Sequence, residues 1–124
     1  MSVHFSELCI DCADPRQLAG FWSKVLGWRI EMDTPDDDEV AVVDPEGKAP
    51  LLLFAPVPEK KTVKNRLHID VSPEPGQEDQ EVERIIGLGA THADVGQGPD
   101  VSWVVLADPE GNEFCLLSRA VQDL

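Results

Sequence analysis

From residue 3 to residue 12 the chain reads as a strand in which apolar and polar positions alternate. Leu8 and Ile10 fall on one side, and Glu7, Cys9 and Asp11 on the other. The period then changes. Asp14-Pro15-Arg16-Gln17 is a helix start: Asp14 caps, Pro15 suits the first helical position, and Gln17 completes a capping box. Leu18, Phe21, Trp22 and Val25 follow at helical spacing, and Gly27 ends the helix. Extended segments are expected at 28–32 and 39–43, separated by the turn Pro35-Asp36-Asp37-Asp38. Asp44-Pro45-Glu46-Gly47 is a second turn, and 51–55 reads as a buried strand.

The same order then returns. Residues 66–71 alternate as a strand, with Leu67, Ile69 and Val71 on one face and His68 and Asp70 on the other. After a turn at 72–76, residues 77–88 form a helix with Val82, Ile85 and Ile86 inward. Strands at 90–95, 102–107 and 113–118 follow, with Gly96-Gln97-Gly98-Pro99-Asp100 as a loop. Asp108-Pro109-Glu110-Gly111 repeats the tetrapeptide at 44–47. Strand, helix and three strands thus occur twice. Neither half buries its sheet face alone, so the halves are expected to pack together. The expected division is 1–55, a basic linker 56–65, and 66–124.

Charge adds to this picture. The net charge is −14, with 11 acids and 4 bases in 1–55, 12 acids and 2 bases in 67–124, and Glu59 against Lys60, Lys61, Lys64 and Arg66 between them. Such an acidic chain disfavours nucleic acid and anionic membranes; solubility is its weightier explanation, and attraction of a cationic ligand is the functional reading. The longest apolar runs are too short to span a bilayer, and no apolar signal segment opens the chain, so a cytoplasmic protein is expected. Cys9 and Cys12 are spaced C-x-x-C, but in an extended run they point to opposite faces, which argues against a zinc knuckle or redox pair. All three cysteines read as small, partly buried thiols. The run Lys60, Lys61, Lys64 reads as solvated, with an anionic substrate tail as its functional alternative. The 96–99 loop lacks the lysine and the helix of a phosphate loop.

Three motifs carry a resemblance. Phe21-Trp22-Ser23-Lys24-Val25-Leu26-Gly27-Trp28 resembles a helix ending of the vicinal-oxygen-chelate superfamily, the glyoxalase/bleomycin-resistance-like proteins. The stretch from Trp103 to Phe114, with Asp108-Pro109-Glu110-Gly111-Asn112 at its centre, resembles that superfamily's closing hairpin. Lys64-Asn65-Arg66-Leu67-His68-Ile69-Asp70-Val71 resembles the start of the second module in its glyoxalase-like branch. The resemblance implies an α+β fold: two tandem βαβββ modules forming an incomplete barrel-like sheet around a cavity, with helices on the convex side. It also implies a homodimer and a small-molecule ligand.

In metal-dependent members four positions point into the cavity. Carried over, they are Glu7, a leucine within 51–53, His68, and Cys115 where a glutamate is usual. A leucine cannot ligate metal. Glu7 and His68 are ordinary ligands for zinc, nickel, iron or manganese, and Cys115 is a third candidate. Two clear ligands fall short of the three that open catalytic sites use, which weighs against a resident metal. Without metal, His68 is the candidate acid–base. Asp70 shares its strand face, but two strand residues span roughly 7 Å, too far for Asp70 to orient His68 directly. Cys9, Asp11, Asp70, Trp28 and Trp103 are candidate ligand contacts, the tryptophans through stacking on a planar or cationic group. His4 and His92 read as surface residues, and Trp22 as core. The two functions in view are a glyoxalase-like lyase or isomerase centred on Glu7 and His68, and a non-catalytic binder that sequesters a drug or metabolite.

Overall fold

A computed structural model describes residues 2–34, 38–93 and 103–117. The elements run β1 (Glu7–Cys12), α1 (Pro15–Leu26), β2 (Arg29–Thr34), β3 (Glu39–Val43), β4 (Leu51–Pro56), β5 (Asp70–Val71), α2 (Glu78–Gly87), β6 (Thr91–His92), β7 (Trp103–Ala107) and β8 (Glu113–Leu117). The class is α+β, with strand, helix and three strands in each half. Two compact units divide the chain, Met1–Lys60 and Lys61–Leu124. Each holds an open four-stranded sheet, ordered β1-β4-β3-β2 in the first and β5-β8-β7-β6 in the second.

The first unit is built from its helix. Asp14 caps α1 by accepting from the Gln17 backbone N–H at 3.2 Å, Pro15 occupies the first turn, and Gly27 ends the helix at φ 70°, a left-handed conformation in which a side chain is strained. The helix packs on β3 and β4. Leu18, Ala19, Phe21, Trp22 and Val25 are buried along it, and Phe21 and Trp22 meet edge to face at 5.4 Å. Leu52 and Phe54 of β4 and Val40 and Val42 of β3 supply the sheet side of this core. β4 was expected to be buried throughout. Instead it alternates: Leu52 and Phe54 are buried, whereas Leu51, Leu53 and Ala55 are half-exposed on the face away from them. One helix covers only one face of a four-stranded sheet, so the pleat decides which leucines are sealed.

In the second unit α2 packs against β8, and Ile85, Leu106, Phe114 and Leu116 are buried. Val82 and Ile86 are half-buried. Both Asp-Pro-Glu-Gly segments form the same turn. The glycine N–H donates to the aspartate C=O at 2.8 Å in each, and the aspartate Oδ1 accepts from the glutamate N–H at 2.9 Å in each. Asp108 goes further: its buried carboxylate also accepts from the Asn112 backbone and side-chain amides.

The expected strand at 66–71 is a correction. Only Asp70–Val71 forms strand with β8; residues 66–67 bend and 68–69 are irregular. Leu67, expected on one strand face with Ile69 and Val71, is 79 % exposed, whereas those two are half-buried. The expected turn at 35–37, the strand residues 94–95, 102 and 118, and the 96–100 loop lie outside the described residues. Among the described residues no helix is long and apolar enough to cross a membrane.

Candidate functional site

β1 pairs parallel with β4 so that Glu7 lies opposite Leu51, Cys9 opposite Leu53, and Asp11 opposite Ala55. Ala41 of β3 lies opposite Leu53 in turn. These residues share the face that α1 leaves open. Glu7, Cys9 and Asp11 are exposed on it, as expected for the polar side of the first strand. Burial, and next the negative charges of Asp11, Glu39 and Glu7, push the Cys9 thiol pKa up. The face is thus an apolar floor with an acidic border. Cys9 is exposed, against the expectation of a partly buried thiol, while Cys12 and Cys115 are buried; all three are free. The alternation that sent Cys12 inward sent Cys9 out.

The second unit concentrates the donors. His68 Nε2 lies 3.1 Å from Asp70 Oδ1. Cys115 stands opposite Asp70 in the parallel pairing of β5 and β8. Ligand atoms of His68, Asp70 and Cys115 all lie within 4.8 Å of one another. This corrects the expectation that Asp70 stands too far from His68. The roughly 7 Å is the spacing of the side-chain roots along a strand, and the tips of two side chains on one face bridge it, as Arg29 and Glu31 also do at 2.7 Å on β2. Burial pushes the Cys115 thiol pKa up, as do the charge of Asp70 and a hydrogen bond to it; the Lys64 ammonium opposes them.

Trp103 begins β7, opposite Leu117, and Val105 lies opposite Cys115. Trp103 therefore shares the Cys115 face, one row along, and is 39 % exposed. Trp28 is half-buried between α1 and β2, where its N–H donates to the Ser23 C=O at 3.0 Å and its C=O accepts from Ser23 Oγ at 2.6 Å. Trp22 is core, and His4 and His92 are exposed, as expected.

Two neighbours escaped the sequence reading. Glu113 receives Lys61 Nζ at 3.1 Å, and Asn65 binds the Glu113 backbone and carboxylate. The lysine run is therefore not uniformly solvated, since Lys61 spends its charge on Glu113. Burial works to raise the Glu113 carboxyl pKa, but hydrogen bonds from its own N–H, Asn65 and Lys61, together with the Lys61 charge, outweigh it and hold the value low. The usable signal was Asn65 itself, whose carboxamide imitates a peptide group, at the end of the expected linker and immediately before the expected strand.

Nitrogen, oxygen and sulfur donors converging this closely fit a borderline divalent ion such as zinc, nickel or iron. The buried thiol supplies the softer ligand, and exposed His68 and Asp70 leave an open side.

A family model described as a glyoxalase-like domain matches residues 7–117. No curated protein sequence matches the chain. Among solved structures, the fosfomycin resistance protein FosX from Listeria monocytogenes is similar at 15 % identity and TM-score 0.75, over 99 % of this chain and 96 % of that one. A FosX mutant from the same organism, complexed with Mn(II) and 1S,2S-dihydroxypropylphosphonic acid, aligns at 13 % identity and TM-score 0.73, over 98 % and 94 %. A glyoxalase/bleomycin resistance protein/dioxygenase family enzyme from Burkholderia phytofirmans PsJN gives 19 % and 0.70, over 92 % and 97 %. The repeated module and these likenesses define a protein of the vicinal-oxygen-chelate superfamily. Within it, the chain belongs to the glyoxalase-like domain family.

Proposed function

We propose that the protein is a glyoxalase-like enzyme, a lyase or isomerase acting on a small oxygenated molecule, with His68, Asp70 and Cys115 as its reactive group. The observation that carries this reading is the convergence of three chemically different ligand atoms within 4.8 Å. Glu7, the counterpart of His68 in the first module, is a separate acid–base or ligand candidate in this proposal. A divalent ion of the zinc, nickel, iron or manganese class, when bound, supplies Lewis-acid polarisation of neighbouring substrate oxygens. Without the ion, His68 carries the proton at its imidazole and Asp70 holds that ring; in either case Trp103 offers a stacking surface on the Cys115 face. The Mn(II) and vicinal diol in the FosX complex support this substrate class. A homodimer in the cytoplasm is part of the same reading.

A non-catalytic binder of a cationic or aromatic drug or metabolite is the second reading. It is favoured by the open face of the first unit, where Glu7, Asp11 and Glu39 surround an apolar floor. Metal analysis combined with melting-temperature shifts separates the two. The enzyme reading expects stabilisation by zinc or nickel that disappears in His68→Ala and Cys115→Ser and weakens in Glu7→Gln. Stabilisation by cationic aromatics without any metal response would overturn it in favour of the binder.

A further inference from the structure

The two modules carry the same parallel ladder, and they differ at one rung. In the first, the Leu51 N–H donates to the Ser6 C=O at 3.3 Å, so the ladder runs on past Glu7. In the second, the Cys115 N–H donates to the Ile69 C=O at 3.0 Å, and the matching next bond would join the Glu113 N–H to the Leu67 C=O. That bond is replaced. Glu113 N–H donates instead to Asn65 Oδ1 at 2.9 Å, while Asn65 Nδ2 donates to the Glu113 C=O at 3.3 Å and to the Leu67 C=O. The carboxamide thus satisfies the groups on both sides of the interrupted rung. Asn65 N–H and Lys61 Nζ both hold the Glu113 carboxylate, which fixes this pairing at its other end.

We propose that Asn65 is a positioning residue: its carboxamide takes the place of the missing β5–β8 rung beside His68 and so sets the backbone that aims the imidazole at Asp70 and Cys115. Asn65 Nδ2 holds the Leu67 C=O just before His68, and the Cys115 N–H holds the Ile69 C=O just after it, so both peptide groups flanking His68 are fixed. From there His68 Nε2 stands 3.1 Å from Asp70 Oδ1. Glu7, the module-one counterpart, sits within its strand opposite Leu51, where the ladder is closed. The significance of this placement rests on the proposed role of the three-donor cluster, but the placement itself does not depend on metal.

The test uses the full chain and the variants Asn65→Ala and Asn65→Gln; the glutamine keeps the amide but overreaches by one methylene. In metal-free protein, the ring-nitrogen NMR signals of His68 are expected to move in both variants toward those of Asp70→Asn, which removes the carboxylate directly. Faster amide exchange at Glu113 is expected alongside. If Asn65→Ala does not fold, Asn65→Gln carries the same comparison. Zinc affinity, read by calorimetry, should fall about ten- to a hundredfold, as when a residue supporting a ligand is lost. Faster Glu113 exchange with unchanged His68 signals would reduce Asn65 to a structural hydrogen bond and overturn the proposal. Failure of the wild type to bind zinc would instead count against the enzyme reading, leaving the His68 signals to decide the role of Asn65.

Discussion

Asp108 and Asp44 begin identical tetrapeptides, yet they carry different weights. Asp44 is half-exposed and answers the Glu46 N–H through its side chain, whereas the Asp108 carboxylate is buried and answers two backbone amides and the Asn112 side chain. Removing a buried acceptor strands its donors, at a cost of about 1–3 kcal/mol per unsatisfied group. Asp108→Ala should therefore destabilise the protein by at least about 2 kcal/mol in urea unfolding, and Asp44→Ala by about 1 kcal/mol or less. Equal losses would show that the second turn is no more critical than the first. Residue chemistry of this local kind was open to reading from the sequence. Asp14, Pro15 and Gly27 act within one helical turn of themselves, and the structure finds each in the expected role. The Asn65–Glu113 pairing was closed to such reading because its partners lie 48 positions apart. No period in the chain announces a side chain that replaces a backbone partner.

At the level of the element, the weakest piece carries the most chemistry. β5 is two residues long, and what precedes it is held by the Asn65, Lys61 and Glu113 contacts rather than by a ladder. Glu113 has a folded-state pKa below its ordinary value. A carboxyl shifted that way stabilises the fold above the ordinary glutamate pKa, and the contribution is lost as pH falls through the lowered folded value. The wild type should accordingly lose stability more steeply on acidification across that window than Glu113→Gln, as judged by denaturant midpoints at a series of pH values. Parallel curves would mean that Lys61 and Asn65 bind Glu113 no better folded than unfolded. Short strands such as β5 and β6 are also where sequence periodicity fails. Two residues present no alternation to read, and Leu67 was grouped on one face with Ile69 and Val71 only because a longer strand was assumed.

For the molecule as a whole, duplication was the most legible property, since landmarks recurred at a nearly constant offset and the strand–helix–three-strand order is present in both units. The net charge of −14 also acts globally. Raising ionic strength from about 0.01 M to about 0.15 M shortens the screening length from roughly 30 Å to roughly 8 Å and relieves self-repulsion. The melting temperature should therefore rise with sodium chloride over that range, and a fall would show that attractive ion pairs dominate instead. The parallel edges have a further implication for biosynthesis. Glu7 meets Leu51 after 44 residues and Asp70 meets Cys115 after 45. Each opening strand must wait for its module's final strand before it has anything to pair with. On the ribosome, a nascent chain halted before the eighth strand would own both helices and the entire first sheet but no thiol beside its imidazole, so any ligand that needs all three donors can be captured only once the eighth strand has emerged.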